Sequence, residues 1–135
     1  MKRFISIVLF ASLLFTCIVP LSASEITPYY NGVVSGAAML NISTFGIATC
    51  TTTFTLRYSL VEADVEMQLL RFEPTGWEEV TSWEKHFGPS DDKVIYLDKL
   101  YAVGDGIYKV YVTADIETTA GSDHLEPSSN IEEYP

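Results

Sequence analysis

The chain has 135 residues, with 18 acidic against eight basic side chains and a formal charge of −10. A surface this acidic argues against nucleic acid and anionic membranes as electrostatic partners, and the length suits one folded domain. Of the two cysteines, Cys17 falls in a greasy N-terminal run. Once that run is removed, Cys50 stands alone and no internal disulfide can form.

Residues 1–24 read as an export signal. Lys2 and Arg3 supply a positive head, Phe4 to Val19 an apolar run that Pro20 ends, and Ser22-Ala23-Ser24 the small residues of a cleavage site. The run is short for a membrane span, and lipoprotein processing at Cys17 would need a smaller neighbour than Thr16. All 18 acids lie beyond residue 24, so the secreted, extracellular chain is more acidic still. Its solubility accounts for most of that charge.

Residues 25–35, with Pro28, Asn31 and Gly32, read as a lead-in arm with room for one short edge strand, and 36–128 as one β-sandwich domain. Gly36 to Ile42 alternates, with Ala38, Leu40 and Ile42 on one side. A turn at Ser43 to Gly46 leads to Ile47–Tyr58, whose threonines and aromatics suit a pleated surface. Cys50 lies on the apolar side of that strand with no basic neighbour in sequence, as a buried hydrophobe would.

The strongest pattern runs from Val61 to Trp83. Val61, Ala63, Val65, Met67 and Leu69 alternate with Glu62, Asp64, Glu66 and Gln68, as in a strand with one dry and one wet face. A helix would scatter the same residues around its circumference. Glu73-Pro74-Thr75-Gly76 turns the chain into a second strand, and two registers are open. A three-residue loop closed by a glycine bulge opposes Met67 to Trp83 and Leu69 to Thr81, which makes Trp83 core. A four-residue loop opposes Phe72 to Trp77 and Leu69 to Val80, with Asp64 beside Lys85. Leu70, Phe72, Trp77 and Trp83 then form an outward patch that could grip a sugar ring or a protein partner.

Beyond a loop at Gly88 to Asp92, strands are expected at Val94–Leu97, with a continuation over Lys99–Val103, and at Ile107–Ile116. An edge strand near Asp123–Glu126 precedes a flexible tail, 129–135. Six to seven strands at spacings of ~8–15 residues favour a sandwich or small barrel, and the expectation is an antiparallel, immunoglobulin-like β-sandwich.

Gly104-Asp105-Gly106-Ile107-Tyr108 resembles the turn and strand of immunoglobulin-like domains, in which the tyrosine hydroxyl bonds back to the turn. That resemblance implies a corner role for Tyr108. Val110 stands where antibody domains carry a cysteine, so the resemblance is to the wider sandwich class. The Gly46-Ile47-Ala48-Thr49-Cys50 run, the Gly76-Trp77…Val80…Trp83 spacing and Tyr101…Val103 before Gly106-Ile107-Tyr108 also resemble short secreted proteins of Gram-positive anaerobes. That resemblance implies a sandwich and carries no functional residue.

No pattern names a reaction. Glu62, Asp64 and Glu66 repeat at roughly 6.5–7 Å along one strand face, and a carboxyl pair is the apparatus of a small hydrolase. A wet face gives nothing to raise one pKa, so a solvated charged surface is the plainer account. Asp91, Asp92, Asp98 and Asp105 lie in or near turns without calcium-loop spacing. His86 and His124 lack a second ligand at zinc-motif spacing. Neither G-x-S-x-G nor a cysteine–histidine signature occurs. The expectation is a non-catalytic extracellular module without metal or cofactor, meeting a partner protein or glycan. The rivals are a small hydrolase and an inhibitor or toxin-like protein.

Overall fold

The computed structural model describes residues 30–135, so the expected leader 1–24 and the first part of the arm lie outside the described residues. Eight strands form two antiparallel sheets. They are β1 (Val33–Ile42), β2 (Ile47–Leu56), β3 (Leu60–Glu73), β4 (Gly76–Phe87), β5 (Val94–Ala102), β6 (Gly106–Thr118), β7 (Gly121–Leu125) and β8 (Glu132–Tyr134). One sheet runs β1-β2-β5; the other runs β4-β3-β6-β7, with β8 also on β6.

The two-residue period decides the packing. Ala48, Cys50, Thr52, Phe54 and Leu56 of β2 point inward and are buried. They meet Ala63, Val65, Met67 and Leu69 of β3 and Val110, Val112, Ala114 and Ile116 of β6 from the facing sheet. Each large side chain removed from water here contributes ~1.5–3 kcal/mol. Thr52 is the polar member, and its hydroxyl donates to Ala37 O at 2.9 Å. No buried side-chain nitrogen or oxygen among the described residues lacks a partner.

Two turns depend on glycine. Gly46 (φ 77°) closes the β1–β2 hairpin, and Gly76 (φ 119°) follows Pro74-Thr75 in the β3–β4 hairpin. Both angles lie where a side chain is strained. The immunoglobulin-like corner forms as expected: Tyr108 is buried, and its hydroxyl donates to Gly104 O at 2.8 Å.

Four expectations need correction. The strands number eight, not six to seven. β1 begins at Val33, inside the expected arm, because the buried Asp123 carboxylate accepts from Asn31 N (2.7 Å) and Gly32 N (2.9 Å) and anchors that entry. The expected flexible tail 129–135 holds β8, paired with β6 through Gly106–Tyr134, Ile107–Glu133 and Tyr108–Glu132. Asn130 fixes it, since its side chain accepts from Leu40 N and donates to Leu40 O as a strand neighbour would. Finally, a bulge in β3 opposite β6 sends Leu60 inward and leaves Val61 37% exposed.

Candidate functional site

The outward surface of the β4-β3-β6-β7 sheet carries two clusters, one near each end of β3. The register of the β3–β4 hairpin creates both. Next to the turn, Glu73 pairs with Gly76, Phe72 with Trp77, Arg71 with Glu78 and Leu70 with Glu79. Between Leu69 and Leu70 the register shifts, with Val80 as the extra residue. Beyond it Leu69 faces Thr81 and Met67 faces Trp83. Each expected register therefore holds on one side of a single bulge, because the extra residue switches the parity of β4. The Leu69–Val80 and Asp64–Lys85 pairs do not form; Lys85 opposes Val65 and His86 opposes Asp64.

This places Trp77 outward and Trp83 inward. Leu70, Phe72 and Trp77 come together as one patch, and Trp83 is not part of it. Trp83 packs against the core and meets Tyr101 of β5 edge to face, with ring centres 6.4 Å apart. Phe72 and Trp77 meet edge to face at 5.3 Å, and Lys109 Nζ lies 4.5 Å from the centre of the Trp77 ring. Leu70 stands between Glu79 and Lys109 in neighbouring strands. Phe72 is 52% exposed, and Leu70 and Trp77 are half-buried. A polar rim surrounds them: Arg71 pairs with Glu73 at 3.3 Å, Gln68 Nε2 donates to Glu79 at 2.9 Å, and Thr75 donates to Glu78 at 2.9 Å. An aromatic centre inside a polar rim is the anatomy of a contact surface.

The second cluster is a row across all four strands: His86, Asp64, Asp115 and His124. His86 Nδ1 lies 2.7 Å from Asp64 Oδ1, and His124 Nδ1 lies 2.6 Å from Asp115 Oδ1. Those hydrogen bonds raise both imidazoles above their usual pKa of 6.5. Glu126 adds to the second pair, with an oxygen 3.5 Å from His124 Nε2, and it also accepts from the Tyr111 hydroxyl. An open groove of about 420 Å³ beside the row is lined by Asp64, Glu66, Glu84, His86 and Asp115. In it Glu66 stands opposite Glu84 of β4, and desolvation, then the neighbouring Glu84 carboxylate, holds Glu66 above the usual carboxylate range.

Among the described residues no group of three or more His, Cys, Asp or Glu is arranged to hold a metal ion. Asp91 and Asp92 sit in the loop before β5, Asp98 on β5, and Asp105 in the next turn. Cys50 is wholly buried, and burial, with Asp98 nearby, pushes its thiol up to about 12. The histidine–aspartate pairs were not foreseen. The register pairing Met67 with Trp83 already implies Asp64 opposite His86. Asp115 beside His124 depends on a turn at residues 119–120 closed by Gly121 (φ 132°), the one local mark of that hairpin.

No family model and no curated protein matches the chain. Among solved structures it is similar to R. palustris CsgH (TM-score 0.40, 6% identity), over 69% of this chain and 91% of that one. OgpA from Akkermansia muciniphila gives a TM-score of 0.42 at 9% identity, over 80% of this chain and 30% of that one. The CARDB domain of PF1109 from Pyrococcus furiosus, solved with di-metal ions, gives 0.36 at 11% identity, over 77% and 94%. Likeness of this order assigns neither ligand nor activity.

Proposed function

We propose that this chain is an exported, non-catalytic binding module that holds a partner protein or glycan against Leu70, Phe72 and Trp77. The observation carrying it is the outward Phe72–Trp77 pair, kept from the core by the Val80 bulge and capped by Lys109. Aromatic side chains placed outward inside a charged rim supply contact area for a partner. The signal-like segment 1–24 supports work outside the cell. No helix among the described residues is long and apolar enough to cross a membrane.

The test is retention of the exported protein on cell-wall glycans and on extracellular proteins, beside Trp77→Ala and Phe72→Ala. Retention that both substitutions abolish supports this face. Equal retention of the variants rules it out, and no retention at all removes the binding module.

A hydrolase has one observation on its side, the Glu66 and Glu84 carboxyls opposed across β3 and β4 in one groove. Such a pair is suited to acid–base work only where water is excluded, and this groove is open. Hydrolysis of a glycan substrate, lost in Glu66→Gln, would establish that reading over the first.

A further inference from the structure

The four sheet edges are protected very unequally. β4 carries Glu78, Glu79, Glu84, Lys85 and His86, and its pairing is bent by the Val80 bulge. The edge formed by β7 and β8 is interrupted between them, where Pro127 lies. β1 has a bulge between Val33 and Ser35, and Leu40 is capped by Asn130. Charges, bulges and breaks of this kind keep an edge from recruiting another strand.

β5 has no bulge, break or cap, and its only charges are Asp98 and the half-buried Lys99. Its nine residues, VIYLDKLYA, contain no proline or glycine and pair with β2 without a bulge from Val94 to Ala102. Lys93 O accepts from Leu56 N at 2.7 Å, and Val103 N donates to Gly46 O at 2.8 Å. Odd-numbered residues therefore turn their backbone polar groups to β2, and Val94, Tyr96, Asp98, Leu100 and Ala102 turn theirs away from the sheet. The side chains of Val94 (52%), Tyr96 (54%) and Leu100 (65%) are also exposed. They flank a ladder of Thr49, Thr51, Thr53 and Thr55 on β2, so Asp98 is the one charge on the outer face of these two strands.

We infer that β5 is a dimerisation edge, on which a second copy of this chain adds its own β5 antiparallel to form a continuous six-stranded sheet. The strand is complementary to itself about a two-fold axis, which selects this occupant, and charge selects this edge. Two chains of net charge −10 repel wherever acidic surfaces meet, whereas β5 carries one acid, Asp98, and one base, Lys99. Charge also selects the register. A two-fold axis at Asp98 opposes two carboxylates, and one at Lys99 opposes two ammonium groups. An axis at Leu97 opposes neither: it sets Val94 against Leu100 of the second copy, Tyr96 against its Asp98, and Ile95 against its Lys99. Each outward N–H then meets a carbonyl oxygen of the second copy in the self-complementary arrangement of a two-fold dimer.

Sedimentation equilibrium from about 1 μM to about 1 mM, at low and high salt, tests this. A dimer is expected, tightening as salt screens the two negative chains. Val94→Glu with Leu100→Glu opposes like charges at both ends and should weaken it at least ~tenfold. Val94→Glu with Leu100→Lys opposes unlike charges and should restore it. In the unaltered protein, the Tyr96 and Leu100 amides should become protected from hydrogen exchange as concentration rises. A monomer throughout, concentration-independent exchange at those amides, or a dimer indifferent to both double substitutions overturns the inference.

Discussion

Asp64 and Asp115 face each other across β3 and β6, two like charges in directly opposed positions. Each has a histidine on its outer side, His86 and His124, at 2.7 and 2.6 Å. Like charges directly opposed in a sheet are destabilising, and a protonated imidazole beside each carboxylate offsets that repulsion. The row is thus an arrangement whose energy depends on two protons.

Both imidazoles are raised above 6.5 in the folded chain. Their contribution to stability is therefore fully present below about 6.5, the pKa of a free histidine. It is lost as pH rises through the higher folded values. Urea denaturation across that range should show stability falling with pH through this window. The slope should flatten in a His86→Gln, His124→Gln double variant. Asp64→Asn should bring the His86 titration, followed by NMR, back toward the free value.

The Val80 bulge gives the two tryptophans opposite roles. Trp83→Ala empties a place against Met67 and Tyr101 and should cost ~2–3 kcal/mol, below the range for a fully buried tryptophan. Trp77→Ala should cost under ~1 kcal/mol, as a partly exposed position does. Denaturation midpoints of the two variants give the comparison. Quenching by a polar solute should act mainly on Trp77 emission.

Tyr108→Phe removes the hydroxyl that donates to Gly104 O and leaves the ring in place. Loss of one partly buried hydrogen bond should cost ~1–2 kcal/mol. The midpoint of unfolding should fall with little change in the denaturant slope, since the surface exposed on unfolding is the same.

Asp123→Ala should be the costlier loss, since the carboxylate accepts from two backbone amides, Asn31 N and Gly32 N. Bonds to an ionised group are worth ~1.5–3 kcal/mol each before relaxation. Faster hydrogen exchange at Asn31 and Gly32, measured against the unaltered chain, would locate the damage. Unchanged exchange there would refute the anchoring role.

Cys50 should resist thiol reagents while the chain is folded, because burial holds its thiol up to about 12 and no thiolate forms near neutrality. Modification should proceed at the rate of unfolding. Rapid labelling under native conditions would contradict that burial.

How much of the aromatic patch was legible follows from the same physics. Val65, Met67 and Leu69 announced their inward face through alternation alone, and Tyr108 announced its corner through the turn before it. The patch of Leu70, Phe72 and Trp77 was visible only as one of two registers. Turn residues fix pairing for the few positions beside them, and an extra residue farther along leaves no mark in composition. His124 met Asp115 through a turn with no glycine or proline at its tip.

The two-residue rhythm and its turn signals determined by themselves that the chain forms antiparallel sheets with a dry interior, because side-chain direction in a strand depends only on position along it. Which strands become neighbours, where a bulge reverses a face, and which edge stays unguarded were decided by the folded whole. Those outcomes depend on contacts between residues far apart in the chain, and no local preference encodes them.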